Sequence, residues 1–136
     1  VVLTPGNGGG SSARYILVPG NKYRLYVMCS SNKEVDVTFR IYWKYKVSTY
    51  QYRTYKSYSF DAILKPGDNE VEVENDPFLD IIAKDADRTL YGKTFSLVVE
   101  VYDYGGNYLD GKTFSDFAYV AGEKLSVDIE DAVIRV

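Results

Sequence analysis

The sequence predicts an all-β fold, a two-layer antiparallel β-sandwich. Three observations carry that reading: apolar residues recur at every second position, Gly/Pro/Asn/Asp clusters punctuate those runs, and 14 of the 136 residues are tyrosine. A period of two puts alternate side chains on opposite faces of an extended chain. Tyrosine and β-branched residues suit a pleated, half-buried surface, and Pro-Gly or Gly-Gly clusters supply the reversals. The length suits one domain able to bury a two-layer core.

The chain begins with a short apolar stretch, Val1, Val2, Leu3 and Thr4, followed by Pro5, Gly6, Asn7, three glycines and two serines. So glycine-rich a segment behaves as a flexible tether. Residues 1–13 are therefore read as an extension and 14–136 as a single sandwich domain. Three readings of the tether stand side by side: a frayed terminus, an engineered linker, or a leash holding an apolar strand out for another chain's sheet. The opening at Val1 is what signal-peptide removal leaves, and so is a trimmed start; the first is preferred, which predicts an extracellular location.

The first strand inside the domain is read from Tyr23, Leu25, Val27 and Cys29, alternating with Lys22, Arg24 and Tyr26 after the turn Pro19-Gly20-Asn21. The longest run follows, with Val35, Val37, Phe39, Ile41, Trp43, Tyr45 and Val47 set between Asp36, Thr38, Arg40, Tyr42, Lys44 and Lys46. A helix would scatter those residues around its circumference, so this is a strand with Trp43 and Tyr45 facing the core and Tyr42 facing out. Ser48–Lys56 breaks the alternation and reads as a hairpin tip or exposed edge. Tyr58, Phe60, Ala62 and Leu64 resume it, and Val71 and Val73 follow the turn Lys65-Pro66-Gly67-Asp68-Asn69. Pro77–Arg88, with Phe78, Ile81 and Ile82 three and four apart, predicts a single helical turn or an irregular crossover. Then come Phe95, Leu97, Val99 and Val101, the turn Tyr104-Gly105-Gly106-Asn107, Phe114–Val120, and a last strand with Leu125, Val127 and Ile129 continuing to Val136.

Composition removes several chemistries. There is no histidine and Cys29 is the one cysteine, so His-dependent triads, Cys–His pairs, His-ligated zinc and an internal disulfide are excluded. No glycine-rich phosphate cradle joins a strand to a helix. Paired carboxylates for glycoside hydrolysis remain conceivable among 19 acids, yet most lie on the wet side of alternating strands, and the chain is read as a non-enzyme. No apolar run approaches the roughly 18 residues of a membrane span. Absence of histidine with a single Gln51 and a single Met28 suits a hot or acidic habitat.

Two residue groups are candidates for binding. Asp76, Asp80, Asp85 and Asp87 cluster in the irregular segment, and Asp103, Asn107 and Asp110 flank the Gly-Gly turn; oxygen-rich loops of this kind suit calcium, although Asp and Asn favour turns on backbone grounds alone. Neither set has the twelve-residue helix-loop-helix spacing. Tyr42, Tyr50, Tyr52 and Tyr55, interleaved with Lys44, Lys46, Arg53 and Lys56, form the densest aromatic stretch, suited to stacking on sugars or to a protein surface. A sequence pI near 5.0 argues against nucleic acid. Charge is split along the chain: nine Lys/Arg against two acids over Arg14–Phe60, seven against seventeen over Asp61–Val136. Two solvated surfaces, or head-to-tail subunit contacts, are the readings of that split.

Leu64–Val73 with its Pro-Gly turn, then Leu97–Asp103 with Gly105-Gly106-Asn107, resembles extracellular immunoglobulin-like β-sandwich domains. The resemblance covers about the last 80 residues and implies an immunoglobulin-like or jelly-roll-like sandwich; the Cys–Cys bridge that flanks a Trp in that family is absent around Trp43. The tethered apolar terminus is similar to secreted pilins, archaeal ones included, that polymerise by donor-strand complementation. That resemblance implies Val1 and Leu3 as pocket-filling side chains with Val2 outward, or the reverse, and a donor lengthened by Tyr15, Leu17 and Pro19. The expectation is a structural subunit of an extracellular filament or surface assembly, partnered by itself. A carbohydrate-binding or adhesive module is the alternative, and a viral coat or turret domain the next.

Overall fold

The computed structural model describes residues 13–122 and 127–136. The fold is all-β: 57% of the described residues are strand, and they form one short helix and two packed sheets. In chain order the elements are β1 (Tyr15–Leu17), β2 (Leu25–Ser31), β3 (Val35–Ser48), β4 (Gln51–Leu64), β5 (Gly67–Val73), α1 (Pro77–Lys84), a 3₁₀ turn at Arg88–Leu90, β6 (Thr94–Asp103) and β7 (Tyr108–Val120). The larger sheet has the order β1-β7-β6-β3-β4 and the smaller pairs β2 with β5.

The expected alternation of β3 builds the centre of the molecule. Val37, Phe39, Ile41 and Trp43 are all at most 2% exposed, while Asp36 and Arg40 stand in solvent. Phe95, Leu97 and Val99 of β6 join them from one side, and Leu64 closes the β4 side. Leu25 and Val73 pack down from the second sheet. The Pro66-Gly67 turn is held by Asn69, whose carboxamide accepts from the Lys65 amide (2.9 Å) and donates to the Lys65 carbonyl (2.9 Å).

Four features depart from the sequence-based expectation. First, β1 runs parallel to β7, pairing Tyr15 with Ala118 and Leu17 with Val120, so the larger sheet is mixed rather than antiparallel. Strands from the two ends of the chain share no hairpin, so nothing forces them antiparallel. This pairing also holds Tyr15 and Leu17 in the chain's own sheet, where they cannot lengthen a donor strand. Second, the crossover forms a true α-helix over Pro77–Lys84. Asp76 caps it by accepting from the Leu79 amide, Pro77 opens it without losing a bond, and Asp85 ends it in the left-handed region. Third, Tyr55 is no part of an exposed tip, as described below. Fourth, Val127–Val136 forms no strand, although its sequence alternates as one.

Candidate functional site

The two sheets are unequal, and that inequality makes the site. Among the described residues five strands face two. Among the described residues β2 pairs with β5 alone, so every second N–H and C=O of β2 points away from β5 toward open space. On that side lies the part of β7 where Phe114 and Phe117 are only half-buried. The result is a lane between the sheets. One reach of about 430 Å³ is lined by Tyr15, Leu17, Leu25, Trp43, Leu79 and Phe117 among others. The adjoining reach of about 360 Å³ is lined by Val27, Leu97, Val99, Lys112 and Phe114, and both share Tyr26, Met28 and Phe117.

An irregularity in β7 aims the aromatic floor of this lane. Leu97 pairs with Phe114 and Phe95 with Ala118, so Ser115, Asp116 and Phe117 stand opposite Ser96. Asp116 takes φ +49° there, and its carbonyl accepts from the Arg14 amide at 3.0 Å. The two extra residues bend the strand and reset which side chains face inward. Phe114 and Phe117 thereby lie together, ring centroids 5.8 Å apart, with Trp43 6.0 Å beyond Phe117 and Tyr15 edge-on at 5.0 Å. Both phenylalanines remain half-buried. Arg14 and Lys112 hold their cations 6.0 and 5.3 Å from the Phe114 centroid. Opposite, Met28 is 69% exposed and Tyr26 40%. The lane is thus apolar along its floor and cationic at its Phe114 end.

The tyrosine group does not form one platform. Tyr42 and Tyr52 project from the outer face of the larger sheet, the face shared with Lys44 and Lys46, and Tyr50 is 92% exposed at the β3–β4 turn. Tyr55 is separate from them. Trp43 pairs with Lys56 and Lys44 with Thr54, which leaves Tyr55 as the extra residue of a β-bulge. The break in alternation that reads as a loop tip is this bulge, and it turns the ring inward against Phe78 and Phe95 (6.0 and 5.9 Å). Its hydroxyl donates to Asp87 at 2.7 Å. Burial first, then the neighbouring Asp87 carboxylate, pushes the Tyr55 phenol far above its ordinary range.

The four aspartates read as calcium candidates do not converge. Asp76 is buried and accepts from the Trp43 indole N–H (3.0 and 3.1 Å) and the Leu79 amide (3.0 Å). Burial raises its carboxyl above the ordinary value, against the opposing pull of the Leu79 and Trp43 bonds. Asp80 pairs with Lys84 at 3.0 Å on the surface, and Asp85 accepts from the Tyr91 hydroxyl. Asp87 accepts from Thr89 and Tyr55; these bonds, Thr89 first, hold it below the ordinary carboxylate range. Asp103 likewise closes its turn on Asn107 (2.8 and 3.1 Å), whereas Asp110 pairs across from Val101 on β7. No group of three or more such ligands converges among the described residues. Each side chain's fold-making bonds explain its place, because turn-forming Asp and ligand Asp look alike in sequence.

The donor candidates Val1, Val2, Leu3 and Thr4 lie outside the described residues. Sequence reasoning missed the lane itself; the signal available was the crowding of Phe114, Phe117 and Tyr119 around Asp116 in a strand of uncertain phase. No helix among the described residues is long and apolar enough to cross a membrane. No protein-family model matches the chain, and no curated protein matches it significantly.

Proposed function

We propose that this chain is a structural subunit of an extracellular filament or surface assembly, in which an apolar terminal strand of one copy is taken up by the sandwich of the next. One observation carries the reading: an aromatic lane, apolar along its floor, runs beside a β2 edge that no described strand pairs, and among the described residues the second sheet has too few strands to cover the first. Strand addition satisfies both needs at once. Main-chain hydrogen bonds to β2 supply affinity, and alternate side chains in the lane supply register. The likeness to immunoglobulin-like sandwiches and to strand-exchanging pilins belongs to this proposal. Val1–Thr4 is the donor expected from the sequence. The parallel run of β1 and β7 adds support, because it puts the start of β1 and the end of β7 at opposite ends of the sheet, a polarity that suits head-to-tail growth.

The test is sedimentation and electron microscopy of the full chain against chains shortened at either terminus. Filaments or ordered oligomers that become monomers on losing one terminus support strand exchange. Assembly indifferent to both truncations removes it.

A second reading has its own observation. Tyr42, Tyr50 and Tyr52 with Lys44 and Lys46 give the outer face an accessible aromatic surface suited to sugar rings. It predicts polysaccharide retention that is lost when Tyr50 and Tyr52 become alanine.

A further inference from the structure

Resting on the strand-exchange reading, we infer that the strand received by the lane is Val127–Val136 of a second copy. Among the described residues this segment carries a strong unmet demand for burial. Val127 is 79% exposed, Ile129 88%, Val133 66% and Ile134 97%, and none of the segment pairs with a strand. Single exposed apolar residues are ordinary on a protein surface; a consecutive strand-patterned run is not. Its own sandwich leaves it in solvent, and no described residue of the same molecule covers the lane.

Charge fits one phase of the segment. Val127, Ile129, Asp131 and Val133 share one face of an extended chain. With that face turned into the lane, Val127 and Ile129 meet its aromatic floor and Asp131 meets the Phe114 end, where Arg14 and Lys112 stand. Asp128 and Glu130 then face outward with Ile134, and the carboxylates stay hydrated. The segment holds three carboxylate side chains and one arginine, the complement of a lane end with two cations. Ten residues span about 33 Å extended, longer than the seven of β2 that they would pair with.

The experiment compares assembly of the full chain with three sets of variants, by sedimentation velocity and electron microscopy, with circular dichroism to confirm that the sandwich is folded. Val127→Asp with Ile129→Asp is expected to raise the concentration needed for assembly by about 100-fold or more, since two charges cannot enter an apolar lane unpaired. Asp131→Lys and Lys112→Glu are each expected to weaken assembly about fivefold, and to restore it when combined. Recovery on charge exchange is a result that a merely structural role for either residue would not give. If the tail variants assemble normally while removal of residues 1–12 gives monomers, this inference falls and strand exchange through the other terminus stands. A full chain that stays monomeric with residues 127–136 protected from hydrogen exchange shows the tail closing its own sandwich, and overturns both. Assembly unaffected by every one of these changes does the same.

Discussion

Asp76→Ala removes one carboxylate that holds three parts of the molecule together. Asp76 caps α1 through the Leu79 amide and accepts the indole N–H of Trp43, itself stacked on Phe78 at 4.4 Å. Losing the cap costs about 1 kcal/mol. Leaving the Trp43 N–H buried without a partner costs about 1–3 kcal/mol more. Removal of a desolvated carboxylate returns part of this, so the net loss is about 2 kcal/mol. For a chain of this size that corresponds to a fall in Tm of roughly 6–8 °C. Trp43 is the single tryptophan and is 1% exposed, so its emission reports global unfolding in urea directly. Asp76→Asn separates charge from hydrogen bonding, because it keeps an acceptor oxygen and loses the ionisation. Burial raises the folded carboxyl above its unfolded value of 3.8. Its contribution is therefore full below that value and is lost as pH rises through the folded one. The wild type should lose stability relative to Asp76→Asn as pH climbs from about 4 toward neutrality. An Asp76→Ala change in Tm under 2 °C, or a wild-type advantage over the Asn variant that grows with rising pH, refutes this account.

Three further outcomes follow from the same geometry. Tyr55→Phe keeps the inward ring and loses the bond to Asp87, so denaturant unfolding should show a loss of about 1 kcal/mol, whereas Tyr55→Ala should cost about 3–5 kcal/mol. Asp87 has the opposite pH sign to Asp76: its folded value is depressed, so its stabilisation is full above the unfolded value and lost as pH falls through the folded one. Asp87→Asn should flatten the acid limb of a stability–pH curve. At Gly122 the backbone has φ +148° and an added Cβ would lie 2.7 Å from the Tyr91 ring, so Gly122→Ala should lower stability by about 1–2 kcal/mol in a thermal melt.

How much of this was legible beforehand differs element by element. The strands β3 and β6 could be read almost in full because a long alternating run admits one conformation and one buried face; the buried Phe39, Ile41, Trp43, Phe95 and Leu97 all follow from it, whereas β5 could be read only from Glu70 on, its first residues Gly67–Asn69 having the composition of a turn. The Lys65–Asn69 turn could be read because its chemistry is local. The phase of β4 before Lys56, the partner of Trp43, could not. A bulge exists only where two strands disagree by a residue, and the disagreement that turns Tyr55 inward belongs to the pair. The lane was hidden for a similar reason, since no single strand states how many partners cover its face.

The tail marks the boundary most clearly. Alternation in Val127–Ile129 fixes that a face of this segment seeks burial, and it reads as a strand on that ground. Alternation is silent about which sheet accepts that face. Local periodicity is a property of the chain, written in the order of its side chains; pairing is a property of surfaces brought together across distance. The sequence alone determined an all-β molecule and most of its core. Only the tertiary structure decided that among the described residues five strands face two, that β1 runs with β7, and that this last apolar run is left exposed and unpaired.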